Sequence, residues 1–270
     1  MADFTVRETR AEDHAPLAML WKSSFGDPPR LIENFFRLLP ELGRGVTALY
    51  QGRCVGAAYA LTGLRLVTGQ GAEKSCGYIY AVAVEETCRG MGMGGALSAA
   101  AAESARKAGA EIICTLPAED SLYGWYEKLI GVKCALRRTA RQVKACAGAK
   151  CLPISAAEYG DIRETLLRGK AHIGFPKAYL EFQRELCAQY GGGFYKLLGG
   201  IAAVYGEGDS ALIRELVLPD GADRDSAAAA LAGELGMEWA LCYGPDPNGE
   251  KFMAADNPLP PDCQWNLALD

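Results

Sequence analysis

The chain has 270 residues, half of them hydrophobic, and a formal net charge of −5. That length suits two modest domains or one large one, with enough apolar residues for a real core. The acidic balance, with a pI near 5.3, excludes the basic patch that nucleic acid or an anionic membrane face would need.

No segment has the basic, apolar, small-residue order of a signal peptide, and no apolar run is long enough to cross a bilayer. The expectation is a cytoplasmic protein, monomer or homodimer, with no nucleic-acid or membrane partner. Ten cysteines and two histidines, His14 and His172, are present without a C-x-x-C. Most of the cysteines interrupt apolar runs, as in "EIICTL", and read as small core residues of a reduced compartment. No metal is expected.

In chain order, residues 3–9 alternate and read as a strand. Asp13 stands as an N-cap candidate before a helical pattern, "HAPLAMLWKSSF". "GDPP" is a turn whose prolines suit entry to a second helix, "RLIENFFRLL". "VTALY" and "CVGAAYAL" flank "QGR", a hairpin signal. "GYIYAVAV" is apolar nearly throughout, as a strand buried on both faces would be. A helix then runs to about Lys107 and stops at Gly109. "EIICTL" is a strand, "DSLYGWYEKL" a short helix, and "GVKCALRR" and "ARQVKA" two closing strands. The class is α/β or α+β with a mixed sheet.

The second half repeats the first in outline. "FTVRETRAEDHAPLAML…" can be laid beside "CLPISAAEYGDIRETLL…", and "VTALYQGRCVGAAYALTG" beside "GFYKLLGGIAAVYGEGD". An internal duplication follows, with domains at 1–147 and 148–270.

The stretch "YIYAVAVEETCRGMGMGGALSAA" carries the chemistry. Its glycines are the pattern of a backbone that holds a phosphate. A P-loop would need lysine and Ser/Thr after the last glycine, where Ala96 and Leu97 stand. Gly90, Gly92 and Gly95 satisfy a dinucleotide string, but that fingerprint belongs after a first strand, and this one follows the fourth. Arg89, Gly92 and Gly94 satisfy R-x-x-G-x-G between a strand and a helix. Amides from 90 to 95 can face a pyrophosphate, helped by the helix N-terminus and by Arg89. A plain turn needs one glycine or two, not four within six residues.

"AVAVEETCRGMGMGGAL" resembles the acetyl-CoA motif of the GCN5-related N-acetyltransferases (GNAT), and the element order is similar to their fold. The resemblance covers residues 1 to about 146. The tandem arrangement is similar to bacterial enzymes with two such domains, including the enhanced-intracellular-survival family, whose second domain is degenerate. The resemblance implies acetyl-CoA as co-substrate, held by Arg89, Gly90, Met91, Gly92, Met93, Gly94 and Gly95. It implies a splayed pair of strands at 77–84 and 111–116, with Val82, Ala83 and Val84 pairing with the pantetheine arm.

"WYEKLIGV" is similar to the family's F-Y-x-K-x-G-F pattern, which makes Tyr126 the general acid and Tyr123, one turn earlier, the fallback. The family's strand-four glutamate is replaced by Tyr78 and Tyr80. Asp27, Glu33, the terminal carboxylate of Asp270 or a water relay stand as bases, while Glu85 and Glu86 read as solvated. The implied activity is transfer of an acetyl group to a primary amine of a small, cationic acceptor. A catalytically inactive acyl-CoA sensor or scaffold is the alternative from another class, and a nicotinamide oxidoreductase a third. In the second half, residues 219–227, "PDGADRDSA", hold one glycine and three acids, so one cofactor per chain is expected.

Overall fold

The computed structural model of the protein describes residues 3–269. Its first elements are β1 (Phe4–Glu8), α1 (His14–Phe25), α2 (Pro29–Leu42), β2 (Gly43–Tyr50), β3 (Arg53–Val67) and β4 (Glu73–Val84). Next come α3 (Met93–Lys107), β5 (Ile112–Thr115), α4 (Ser121–Ile130) and β6 (Cys134–Lys144). The remainder is β7 (Leu152–Pro153), α5 (Ala156–Leu166), β8 (His172–Gly174), α6 (Lys177–Gln189), β9 (Gly193–Leu197), β10 (Gly200–Glu207), β11 (Ser210–Val217), α7 (Arg224–Glu234), β12 (Trp239–Pro245) and β13 (Glu250–Ala255). The fold is mixed α/β.

The chain divides into two compact units. One holds the residues up to Leu66, Lys74–Ala135 and Met253–Leu259; the other holds Val67–Glu73, Leu136–Phe252 and the chain from Pro260 on. In the first unit the strand order is β1-β2-β3-β4-β5-β13. The β4–β5 pair is parallel, and β13 closes the row antiparallel to β5 through Ala254↔Thr115 and Ala255↔Cys114.

Alternation along β3 assigns its two faces. Ala58 and Ala60 join Met93, Leu97 and Ala101 of α3 in one core. Tyr59, between them, meets the other side, where Trp21 and Phe35 pack at ring distances of 5.5 and 4.9 Å. The sheet is thus covered by α3 on one face and by the aromatic side of α1 and α2 on the other.

The second unit runs β7-β9-β10-β11-β12-β6, again with one parallel pair, β11–β12, and an antiparallel closing strand. Both units turn their early hairpin on a residue pair with positive φ: Gln51 (50°) and Gly52 (76°), Leu198 (47°) and Gly199 (77°). That is the turn whose twist matches the flanking strands, and it falls at the same place in the two repeats.

Three expectations are corrected. The two closing strands are one, β6, and it pairs with β12 in the second unit rather than closing the first. The position beside β5, whose four residues are all buried, is taken instead by Met253, Ala254 and Ala255, which are at most 2 % exposed. An apolar strand fits there; "RRTARQVK" would bury charge. The domain boundary expected near 148 accordingly lies within the second unit, while the first ends at Ala135 and resumes at Met253.

Asp13 makes no side-chain cap to α1. Its carboxylate accepts both Arg7 guanidinium nitrogens at 2.6 and 2.9 Å and the Arg10 amide, tying β1 to the chain before α1. The tail at 265–269 is buried but forms no strand beyond a bridge at Gln264; Asp270 lies outside the described residues.

The second unit buries an ion pair. Arg163 meets Glu215 through Nε at 2.9 Å and Nη2 at 3.1 Å, and Tyr159 donates to the same carboxylate at 2.7 Å. The remaining guanidinium nitrogen donates to Ile173 O at 2.6 Å. Removing one partner strands a charge in a low-dielectric interior. Glu215→Ala is expected to lower stability by about 3–5 kcal/mol, whereas the isosteric pair Arg163→Met with Glu215→Gln should cost clearly less. Chemical denaturation of both variants checks this.

Candidate functional site

In the first unit the pairing of β4 with β5 ends before β4 does. The register of β4 against β5 is Cys76↔Ile112 to Ile79↔Thr115 and goes no further, although β4 continues to Val84. Just past the last pair, Ala81 has φ 48°, a left-handed backbone in a residue with a side chain. Such a conformation is held at a cost by its surroundings and concentrates at functional positions. Val82, Ala83 and Val84 therefore lie on the strand beyond its pairing with β5. Ala83 is buried and the two valines half-buried.

The chain then turns through a short 3-10 segment, Glu86–Cys88, into α3. Gly90 and Gly92 have φ of 80° and 84°, which a side chain would resist. The N-cap of α3 is Gly92, so no side chain occupies the helix end, and the first helical bond is Ala96 N–H to Gly92 O at 3.1 Å. The amides of Met93, Gly94 and Gly95 have no carbonyl behind them. Met93 is sunk in the core and Met91 packs against it, so the alternating methionines anchor the loop while the glycines leave its outer side clear. Arg89 is exposed and its Nε reaches Val84 O at 3.3 Å. Glu85, next to this loop, is held by Arg53 at 2.8 Å.

Gly94 and Gly95 serve differently. A Cβ at either would meet Trp125 of α4 at 3.9–4.0 Å, and at Gly95 also Leu129 at 3.5 Å, ordinary contact distances. Helix α4 thus seats on the small side of α3, and Trp125 stays 38 % exposed beside the free amides. One residue on, Tyr126 is buried, packed with Val132 and Ala254. Burial pushes its phenol pKa up, and the nearby side chains of Thr115 and Ser98 pull the other way. Thr115 Oγ1 itself donates to Ile79 O at 3.2 Å, at the last rung before the strands part. Tyr123 is half-buried in the same cluster.

Of the residues expected near an acceptor, Asp27 Oδ2 accepts the Trp21 indole N–H at 2.7 Å, Glu33 is exposed, Tyr78 is buried and Tyr80 half-buried. Among the described residues no group of three His, Cys, Asp or Glu is placed to hold a metal ion, and no helix is long and apolar enough to cross a membrane.

The second unit shows the same openings filled from within. Its parallel pairing also stops early, at Ile213↔Cys242, while β11 runs on to Val217. There Arg224 donates to Leu216 O on one strand and Tyr243 O on the other, each at 2.6 Å. At the N-terminus of α7 the Asp223 carboxylate accepts the amides of Asp225 and Ser226 at 3.0 and 3.4 Å. The Ser226 hydroxyl and these amides hold that carboxyl below its usual pKa. The acids in "PDGADRDSA" do more than repel an anion: one of them stands where an anion would.

Residues 5–128 match the profile of the acetyltransferase (GNAT) domain family. That part of the chain, a little under half of it, is similar to the GNAT domain, a family of acetyltransferases. No curated protein sequence matches the chain.

Among solved structures, a GCN5-related N-acetyltransferase from Kribbella flavida is 18% identical with a TM-score of 0.68, over 94% of this chain and 71% of that one. Eis1 from Mycobacterium abscessus is 14% identical with a TM-score of 0.66, over 94% and 73%. A GCN5-related N-acetyltransferase from Anabaena variabilis gives 14%, 0.66, 94% and 72%. At these identities the likeness is one of fold, and it extends over 94% of the chain.

Sequence reasoning passed over Ala81, Ser98, Thr115 and Trp125. The small residues 94, 95 and 98, spaced to share one helix face, are a signal that could have found the α4 seat. Nothing in the composition marks Ala81.

The two kinds of glycine separate by measurement. Gly92→Ala is expected to cost about 1–2 kcal/mol from its left-handed φ. Gly94→Ala, in an ordinary helical turn with room for a methyl, should leave stability unchanged or raise it by up to about 1 kcal/mol. Denaturant titration of the two variants reads both.

Proposed function

We propose that the first unit is an N-acetyltransferase that takes acetyl-CoA and acetylates a primary amine of a small cationic acceptor, with one cofactor bound per chain. The observation that carries this is the pair of openings in that unit, free helix-end amides beside an unpaired strand edge, together with their internal filling in the second unit. When bound, acetyl-CoA supplies an activated acetyl thioester.

The chain's own residues then do the following. The amides at 90–95 and the positive end of α3 receive the pyrophosphate, with Arg89 adding charge. Gly90 and Gly92 keep side chains out of that contact. The edge at Val82, Ala83 and Val84 offers backbone groups to the pantetheine amides as a neighbouring strand would. Tyr126, kept as a phenol by burial, gives its proton to the departing sulfur. Asp27 and Glu33 supply negative charge for a cationic amine, with Asp27 fixed by the Trp21 indole; a water relay takes the amine's proton.

A panel of amines (spermidine, kanamycin, lysine and a lysine peptide) with acetyl-CoA tests the reading by thiol release. Turnover on at least one amine is expected, falling about 100-fold or more in Tyr126→Phe, as loss of a general acid does. Tight acetyl-CoA binding with no turnover on any amine would replace the enzyme by an acyl-CoA sensor.

A further inference from the structure

Ser98 is 0 % exposed, and its Oγ has no hydrogen-bond partner. A helical serine usually bonds back to the carbonyl one turn earlier, here Gly94; this one does not. A buried hydroxyl without a partner is destabilising, and such groups in folded proteins call for an explanation. Its surroundings supply one. Ser98 lies one turn past Gly94 on the α3 face that seats α4, and its side chain is a neighbour of the Tyr126 hydroxyl, short of a completed bond. The other hydroxyl at that point, Thr115, has already committed its proton to Ile79 O. Of the two, Ser98 is the one with a proton to give.

We propose that Ser98 is a positioning residue for Tyr126: it donates to the phenol oxygen, aims the phenol proton toward the parted strands, and stabilises the phenolate left behind. The proposal rests on Tyr126 being the general acid. The amine lone pair forms the N–C bond, and the C–S bond breaks with its electrons on sulfur. Tyr126 protonates that sulfur and becomes a phenolate. The proton released from the amine nitrogen returns through water to the phenolate, so no proton is consumed overall. During that interval a buried oxyanion needs a donor, and Ser98 Oγ–H is it.

The test uses the whole chain with ¹³Cζ-labelled tyrosine, the Tyr126 resonance being assigned with Tyr126→Phe. Ser98→Ala removes a buried unpaired hydroxyl and adds no volume, so it should be at least as stable as the parent. In it the Tyr126 resonance should shift at neutral pH, and its ionisation constant should fall about tenfold, the size of one hydrogen bond to a charged group. Ser98→Cys, a weak donor of similar size, should recover part of both.

With the best amine of the panel, kcat should fall about 10-fold or more in Ser98→Ala with KM for acetyl-CoA unchanged. In a Tyr126→Phe background the same substitution should have no further effect. An unmoved Tyr126 resonance, or losses that multiply in the double variant, overturns the role of Ser98 while leaving Tyr126 as the acid. Full turnover in Tyr126→Phe overturns both.

Discussion

The first unit depends on where one pair of parallel strands stops pairing. Four rungs, Cys76 to Ile79 against Ile112 to Thr115, hold β4 and β5 together, and then Ala81 turns the backbone of β4 into a left-handed conformation. From that point the strand has an edge to offer. Every part of the candidate site is set against this divergence: the glycine turn at the end of β4, the bare N-terminus of α3, and Tyr126 with Thr115 at the last rung. A strand that stayed paired would leave no slot for a long thin ligand, and a helix with an ordinary cap would leave no free amides.

The second unit makes the same argument by substitution. Its strands part at the corresponding place, yet Arg224 spans the gap between Leu216 and Tyr243, and Asp223 caps α7. A guanidinium satisfies carbonyls that a ligand would otherwise meet, and a carboxylate satisfies amides that a phosphate would otherwise meet. Duplicated folds diverge in this way when one copy supplies its own occupant: the backbone demands survive and side chains answer them. Polar satisfaction, rather than charge repulsion alone, is the reason for expecting one cofactor per chain.

The first unit takes its closing strand from near the end of the chain, and the second takes its own from the segment just after α4. β6 follows the last helix of the first unit and pairs in the second; the end of β13 follows the second and pairs in the first. Hydrophobicity decides this exchange, since Met253–Ala255 are apolar and "RRTARQVK" is not. Tyr126 packs on Ala254 as a result, so a residue near the end of the sequence supports the proposed acid near its middle.

The sequence by itself determined the local elements and the glycine loop. Apolar runs of strand length, helical periodicity and the glycines at 90 and 92 act over a few residues, and their physics is local: left-handed φ needs glycine, and a buried strand needs apolar side chains. It also carried both hairpin turns, because each needs left-handed φ at a glycine. Tertiary structure alone decided which strand lies beside β5, that Asp13 serves Arg7 instead of α1, that Ala81 is strained, and that Ser98 is left with an unspent proton. Each of these is a competition among partners distant in sequence, settled by burial and hydrogen-bond geometry, and no pattern within a window of residues carries its outcome.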